Sequence, residues 1–439
     1  MKGWFAELTT LKRTGFYHIF SSQVFERVVL FCNNVLIVRL VSKTDFGVYT
    51  YAQNIIAIFL LLNGLGAVSG LLQFGSENQN DLQKQAAFTK YAWRFGLSAS
   101  IGLSLLTIIY TQVIEAKVEG AAGILLLLSL RPITQYIISQ IQIGFRIRLQ
   151  NKIFSAMNVL SSSITLVCTV LGAYFWGIYG VVLLQYLGNL GFIGLGFAFT
   201  KRFGQHPDTA IQLSQKEKRG FVKLSVVSCI SNTVSQMLYL LDVYIIGVLI
   251  ADPDVIATYK TATTIPFAMT FVPLAIMTYI YPYFASHHQD RGWVRAKYYQ
   301  MVKRLVVING VITAGMYVFA PWIIRYVFGA NYMDAVQPFR ILSLGYFIAA
   351  TFRIPSGNIL VSLHKVTFNL YNALISGGAN VVFSLVLIST FGPLGAAYST
   401  VAVYILSSFI STVYLNRLIN RPAGGGSPEI EFSEAGVKG

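Results

Sequence analysis

Apolar runs of about 20 residues recur along the whole chain, separated by short polar loops. A helix of that length crosses the hydrocarbon core of a bilayer, whereas a spanning barrel would read as short alternating segments. The pattern predicts an all-α polytopic membrane protein with twelve spans, at about 16–41, 48–74, 87–111, 120–143, 153–175, 177–200, 222–250, 256–284, 302–327, 336–362, 367–390 and 393–416. The longest connection, 201–221, is polar and basic. It divides the chain into a six-span half over 1–200 and a second over 222–416. The tail over 417–439, with Gly424-Gly425-Gly426-Ser427-Pro428 and scattered acids, is expected to be a disordered cytoplasmic segment.

Composition agrees with this reading. Only 11% of the 439 residues are charged and 55% are hydrophobic, against about 25% charged in a soluble domain. That excludes a soluble enzyme, a disordered chain and a secreted disulfide scaffold. The net charge of +16 comes from 33 Lys and Arg against 17 Asp and Glu. Nucleic acid is not expected as a partner, because the cations sit between the apolar runs. With the N-terminus in the cytoplasm, 24 of the 33 fall on the cytoplasmic side and 5 on the other: Lys43, Lys117, Lys260, Arg325 and Arg340. Such a bias sets topology, with both termini cytoplasmic. Lys2, Lys12 and Arg13 precede a first span that carries polar residues and lacks a small-residue cleavage site, so it reads as a membrane helix and not a removed signal. Cys32, Cys168 and Cys229 lie inside spans with no paired spacing, the five histidines show no metal spacing, and no Walker motif or nucleophile–base arrangement is present. No metal or bound cofactor is expected, and the chain reads as a transporter, not an enzyme.

The halves repeat weakly. Asp45-Phe46-Gly47-Val48-Tyr49-Thr50-Tyr51-Ala52 is echoed by Val255-Ile256-Ala257-Thr258-Tyr259-Lys260-Thr261-Ala262 at an offset of about 210. Gly177-Ile178-Tyr179-Gly180 is echoed by Gly392-Pro393-Leu394-Gly395 at about 215. Six spans per half is an even number, so the repeats lie parallel about an axis along the membrane normal. Secondary transporters so built bind substrate between the halves.

Arg39-Leu40-Val41 followed by Asp45-Phe46-Gly47-Val48-Tyr49 resembles the first loop of the Wzx-type polysaccharide and O-antigen flippases of the multidrug/oligosaccharidyl-lipid/polysaccharide exporter superfamily. Leu241-Asp242-Val243-Tyr244-Ile245-Ile246-Gly247 to Tyr259 is similar to their seventh helix and following loop. Phe328-Gly329-Ala330-Asn331-Tyr332 with Ile341-Leu342 is similar to the loop before the tenth. The resemblance implies a V-shaped bundle like that of the multidrug exporters of the superfamily. It implies a monomer in the bacterial cytoplasmic membrane that moves an undecaprenyl-pyrophosphate-linked oligosaccharide to the outer leaflet, beside a polysaccharide polymerase and chain-length machinery.

Polar residues inside spans mark the candidate site, because an ionisable group at the bilayer centre costs roughly 2.5–3.5 kcal/mol on insertion scales. Span 1 carries His18, Ser22, Glu26 and Asn33 on one face, with Arg27 and Asn34 beside it. Span 7, its equivalent, carries Ser228, Ser231, Ser235, Tyr239 and Asp242. Span 4 has Arg131-Pro132 and then Gln135; span 10 has Arg353-Ile354-Pro355 and then Asn358. Arg27, Arg131 and Arg353 are the expected cations of a phosphate site, since a guanidinium is always charged and grips phosphate oxygens bidentately. Asn33, Asn34, Gln135, Tyr239 and Asn358 are expected to bond sugar hydroxyls. Glu26 and Asp242 are candidates for coupling to a proton or sodium gradient. Each set has a structural alternative, interhelical hydrogen bonds or local ion pairs. Asn63, Gly64, Gly66 and Gly70 in span 2 and Pro266 and Pro273 in span 8 predict bends in equivalent helices. A cation-coupled multidrug antiporter is the first alternative, though it would need a more acidic cavity. A membrane glycan polymerase or ligase is the second, though it would need a long outer loop.

Overall fold

The computed structural model describes residues 16–78, 80–114, 118–203, 211–287, 289–363 and 365–420. The described residues are helical, with no strand among them. Twelve crossings follow in order. They are α1 (Phe16–Leu40), α2 (Lys43–Leu60 continuing as Ala67–Glu77), α3 (Leu82–Ile114) and α4 (Ala121–Leu128 continuing as Arg131–Ile147). Next come α5 and α6 (together Asn151–Phe203, folded back at Trp176–Gly177), α7 (Gln215–Leu249) and α8 (Pro253–Met269 continuing as Phe271–Ser286). The last are α9 (Arg291–Val318), α10 (Val336–Ile348 continuing as Ile354–Ser362), α11 (Val366–Phe391) and α12 (Pro393–Ile419).

Among the described residues nine helical segments are long and apolar enough to cross a membrane, and one of them, Asn151–Arg202, holds 52 residues. Folded at Gly177 it makes two crossings. Neither α1 nor α7 is among the nine, and each carries rows of polar residues. The protein is a multi-pass membrane protein, and its burial pattern is that of one facing lipid. In α9, Val307 and Val311 are 66% and 70% exposed while Asn309 and Thr313 are buried. With hydrocarbon outside, polar groups gain by turning inward to find partners.

The internal repeat has a geometric counterpart at the fifth-to-sixth and eleventh-to-twelfth connections. Gly177 has φ 60 and ψ −145; Gly392 has φ 58 and ψ −136. This is a backbone region open essentially to glycine alone. Gly180 packs so closely on the backbone of Gly172 that a Cβ would overlap it, and Gly395 packs the same way on Leu387. Both contacts turn a helix straight back on itself, 215 residues apart.

The expected bends are present. In α2 the chain leaves helical geometry at Gly64 (φ 58) and Leu65 (φ 44), and Asn63 Oδ1 accepts from Ser100 Oγ at 2.8 Å. In α8 the helix breaks between Met269 and Phe271, flanked by Pro266 and Pro273. Proline removes a backbone donor and crowds the carbonyl four residues earlier. Irregularity also falls at the two span arginines. A break in α4 ends at Arg131, and a widened turn in α10, Ala349–Arg353, ends at Arg353 just before Pro355.

The ends of the bundle differ. At the end with few basic residues the halves are locked together. Lys43 and Asp334 pair at 2.5 Å, and Thr258 Oγ1 donates to the same carboxylate at 2.7 Å. Thr44 Oγ1 donates to Asp254 at 2.8 Å, 210 residues away. Arg39 Nε donates to the carbonyl of Val327 at 2.8 Å, and its terminal nitrogen donates to that of Tyr326. Lys260, counted among the five cations of this side, lies inside α8 and is half-buried, within the span expected over 256–284. At the basic end, among the described residues, α7 bridges the halves. Phe221 packs among Phe74, Phe88 and Tyr91 with ring centroids 5.5–6.1 Å apart, and Glu217 pairs with Lys84 at 2.8 Å.

Candidate functional site

Two connected hollows lie on the basic side of the locked end. The larger, about 670 Å³, is a cleft between α1, α2, α4, α5 and α7. Aliphatic residues such as Val29, Leu60, Leu61 and Leu240 make much of its wall; Asn33, Asn63, Asn232 and Gln236 interrupt it. The smaller, about 320 Å³, is a side pocket within the first half, between α1, α4, α5 and α6. Glu26, Arg131, Gln135, Ser161, Ser162 and Thr165 line both, so they form the shared mouth.

Arg131 owes its place to the break in α4. Ser129 and Leu130 leave the helix, Arg131 starts the next one, and Pro132 stands in its first turn, where a missing N–H costs nothing. Arg131 thus stands at the start of a helix within an apolar helical segment. It is held from α2 by a hydrogen bond to Gln53 Oε1. A fixed cation at the start of a helix suits an anionic group.

Of the predicted site residues, Glu26, Asn33, Arg131 and Gln135 line the hollows. Arg27 does not: it is exposed, since successive helical residues point about 100° apart and Glu26 takes the inward direction. Arg353 lies in the second half, its guanidinium over the Tyr404 ring at 5.4 Å, away from both described hollows. The expected cluster of three arginines is thus not assembled in this conformation. Asn34 turns its amide back to the Leu30 carbonyl at 3.0 Å, and Asn358 does the same to Ile354 at 2.8 Å. Tyr239 is on α7, but its side chain lies outside the described residues.

Asp242 is also away from the cleft. It is 5% exposed, inside the second half, and accepts three hydrogen bonds. Tyr259 and Thr400 donate to Oδ2 at 2.8 and 2.7 Å, and Asn380 donates to Oδ1 at 2.9 Å. These donors come from α8, α12 and α11. Among the described residues no cation pairs with it.

Sequence reading missed the polar wall contributed by α5 and α6: Asn158, Ser161, Ser162 and Thr165 on one, Gln185 and Asn189 on the other. A signal was present, because 158, 161, 162 and 165 follow the i, i+3, i+4, i+7 spacing of a single face. On α7 the cleft-facing row is Cys229, Asn232 and Gln236, one position on from the serine row.

A family model described as polysaccharide biosynthesis protein matches residues 36–337. The chain belongs to that family. It is 22% identical over 404 residues to the lipopolysaccharide biosynthesis protein WzxC of Escherichia coli (strain K12), covering 89% of this chain and 77% of that protein. A shorter match, 25% identical over 155 residues, is to the uncharacterized membrane protein MJ1068 of Methanocaldococcus jannaschii; it spans 34% of this chain and only 30% of that one. Among solved structures, an inward-facing multidrug resistance MATE family transporter of the MOP superfamily superposes with TM-score 0.73 at 14% identity, over 90% of this chain and 94% of that one. The lipid II flippase MurJ, in an inward closed conformation, gives 0.72 at 16%, over 92% and 87%. The chain shares its fold with these two solved structures.

Proposed function

We propose that the protein flips an undecaprenyl-pyrophosphate-linked oligosaccharide across the bacterial cytoplasmic membrane for surface polysaccharide assembly, by alternating access and without chemistry of its own. The observation that carries this reading is the cleft itself. One guanidinium, Arg131, stands at a helix start within an apolar helical segment, with amides around it and aliphatic walls beyond. A polar headgroup cannot enter hydrocarbon uncompensated, and this cleft supplies a cation for phosphate and amides for sugars. The lipid tail stays in the bilayer. The names of WzxC and MurJ support the same class of cargo.

With the basic loops in the cytoplasm, as the charge bias requires, both termini are cytoplasmic and the cleft lies on the cytoplasmic side of the lock. The 1–200 and 222–416 halves would rock about α7 and part at Lys43–Asp334 and Thr44–Asp254. Arg131 carries the phosphate in this state; Arg27 and Arg353 are assigned no contact in it. Asp242 is the stronger of the two coupling candidates. It is a carboxylate ringed by neutral donors with no paired cation, so taking up a proton or a sodium ion would relieve a buried charge. The protein works as a monomer and delivers cargo to a polymerase with its chain-length machinery.

The test is deletion of the gene, followed by mass spectrometry of polyprenyl-linked glycans in the lipid extract. One pyrophosphate-linked oligosaccharide should accumulate, reversed by the intact gene and not by Arg131→Ala. An unchanged lipid profile together with new sensitivity to cationic dyes would replace the reading with drug export.

A further inference from the structure

The side pocket between α1, α4, α5 and α6 differs in kind from the cleft. Besides the mouth residues its lining includes Gln23, Gln142, Asn158 and Asn189, and also Phe154. Amides in a membrane bundle usually pair across helices, and in the second half they do: Asn309 with Tyr346 and Thr351, Asn372 with the Ser407 carbonyl, Asn380 with Asp242. These four make no hydrogen bond to any described residue, although Asn158 is only 9% exposed. Their amide groups open onto the pocket and are available there to a ligand or ordered water. Each amide offers one acceptor and two donors, which matches groups that both donate and accept, namely hydroxyls and acetamides. Phe154 adds an apolar face. Among the described residues no charged side chain lines the pocket past the mouth, and Arg146, over the Phe154 ring at 5.8 Å, is itself exposed, so a carboxylate entering the pocket would lose water and gain no direct counter-charge. The volume of about 320 Å³ is at the lower end of ligand pockets, roughly 300–1,000 Å³, and suits one sugar unit, not a chain.

We propose that this pocket is a subsite for a single uncharged pyranose, the sugar joined directly to the phosphates that Arg131 holds at its mouth. It rests on the lipid-linked glycan reading above and adds to it a place for one sugar and a selection rule. A neutral or N-acetylated sugar is accepted at the phosphate end, and a uronic acid is refused there. The remaining sugars occupy the larger cleft.

Two measurements on the purified full-length protein separate the subsite from the reading beneath it. The first is saturation-transfer NMR with the methyl glycosides of N-acetylglucosamine, galactose and glucuronic acid. The neutral glycosides should bind and the glucuronide should bind at least about tenfold more weakly. Asn158→Leu and Asn189→Leu should each weaken the neutral glycosides about tenfold, the effect of leaving one sugar hydroxyl unpaired; Asn158→Gln should recover part of the loss. The second is native mass spectrometry with undecaprenyl pyrophosphate that carries no sugar. Its binding should be untouched by the two Leu variants and fall at least tenfold in Arg131→Ala. Neutral glycosides failing to bind the wild type, glucuronide binding equally well, or the Leu variants losing the sugar-free lipid to the same degree would each overturn the subsite. Glycoside binding without any binding of the sugar-free lipid would overturn the lipid-linked reading and leave a sugar pocket.

Discussion

The two halves share a fold plan but differ in where their polar residues face an open hollow. In the second half several buried polar groups are joined to one another. Asp242 has three donors, Ser356 meets Ser411 at 2.8 Å, and Ser384 meets Ser399 at 2.8 Å. In the first half Gln23, Gln142, Asn158 and Asn189 surround a hollow and make no hydrogen bond to a described residue, while Gln185 beside them donates to Thr169 at 2.8 Å. Hydrogen bonds that are made hold helices together; hydrogen bonds that are left open select a ligand. The difference teaches that counting polar residues in spans does not locate a transport site. Their pairing does.

The comparison breaks most sharply at Arg131. Replacing it with Ala should lower transport by two orders of magnitude or more, because a charge-assisted bidentate contact is lost where water is scarce. The unfolding temperature in detergent should move little. A large loss of stability with transport intact would mean that the first half, too, uses its polar groups as glue.

Asp242→Leu should do the reverse. It leaves Tyr259, Thr400 and Asn380 without their shared acceptor in a packed interior, a cost of roughly 2–4 kcal/mol, read as a clear fall in unfolding temperature. Asp242→Asn should fold better yet lose any dependence on the proton or sodium gradient. Gradient dependence surviving in Asp242→Asn would assign the carboxylate to structure alone.

The reversals sharpen the comparison from the side on which the halves agree. Gly177→Ala and Gly392→Ala should each destabilise by roughly 1–3 kcal/mol, since each glycine holds a conformation that L residues rarely reach. Equal losses by thermal unfolding are expected. A cost at only one would show that the two connections are alike in shape but not in load.

The smallest effect is expected where α7 crosses between the halves at the basic end. The Glu217 carboxyl, outside the bilayer-spanning part of α7, is held at about 2, below its ordinary 4.5, by the Lys84 ammonium and by Ser214. A carboxyl with a lowered value stabilises the fold fully above its unfolded value and loses that effect as pH falls toward the folded one. The difference in unfolding temperature between wild type and Glu217→Gln should therefore be present at pH 6, shrink below about 4.5 and be gone near 2. Because the pair is exposed, the difference should stay well below that of the glycine variants. A constant difference across this range would rule out the ion pair as its source.

Much of this molecule was legible one residue at a time. The number of crossings, the bends in α2 and α8, the shared irregularity at Arg131 and Arg353 and the glycine reversals all follow from local chemistry: apolar runs, proline, and glycine at positive φ. Glu26, Asn33, Arg131 and Gln135 were legible because a polar group in a span is rare enough to notice. The amides of α5 and α6 carried a signal of the same strength, in the spacing of 158, 161, 162 and 165, but in helices without a charge to draw attention.

Sequence alone determined that this is a polytopic helical membrane protein with a basic face, because hydrocarbon demands long apolar runs and closed backbone hydrogen bonding whatever the neighbours are. Only the tertiary structure decided which polar residues are paired and which face a hollow. Glu26 turns inward while Arg27 turns out, Asp242 is enclosed by donors from three other helices, and Asn158 is left with none. That outcome depends on the rotation of each helix against its neighbours, and no single helix carries that information.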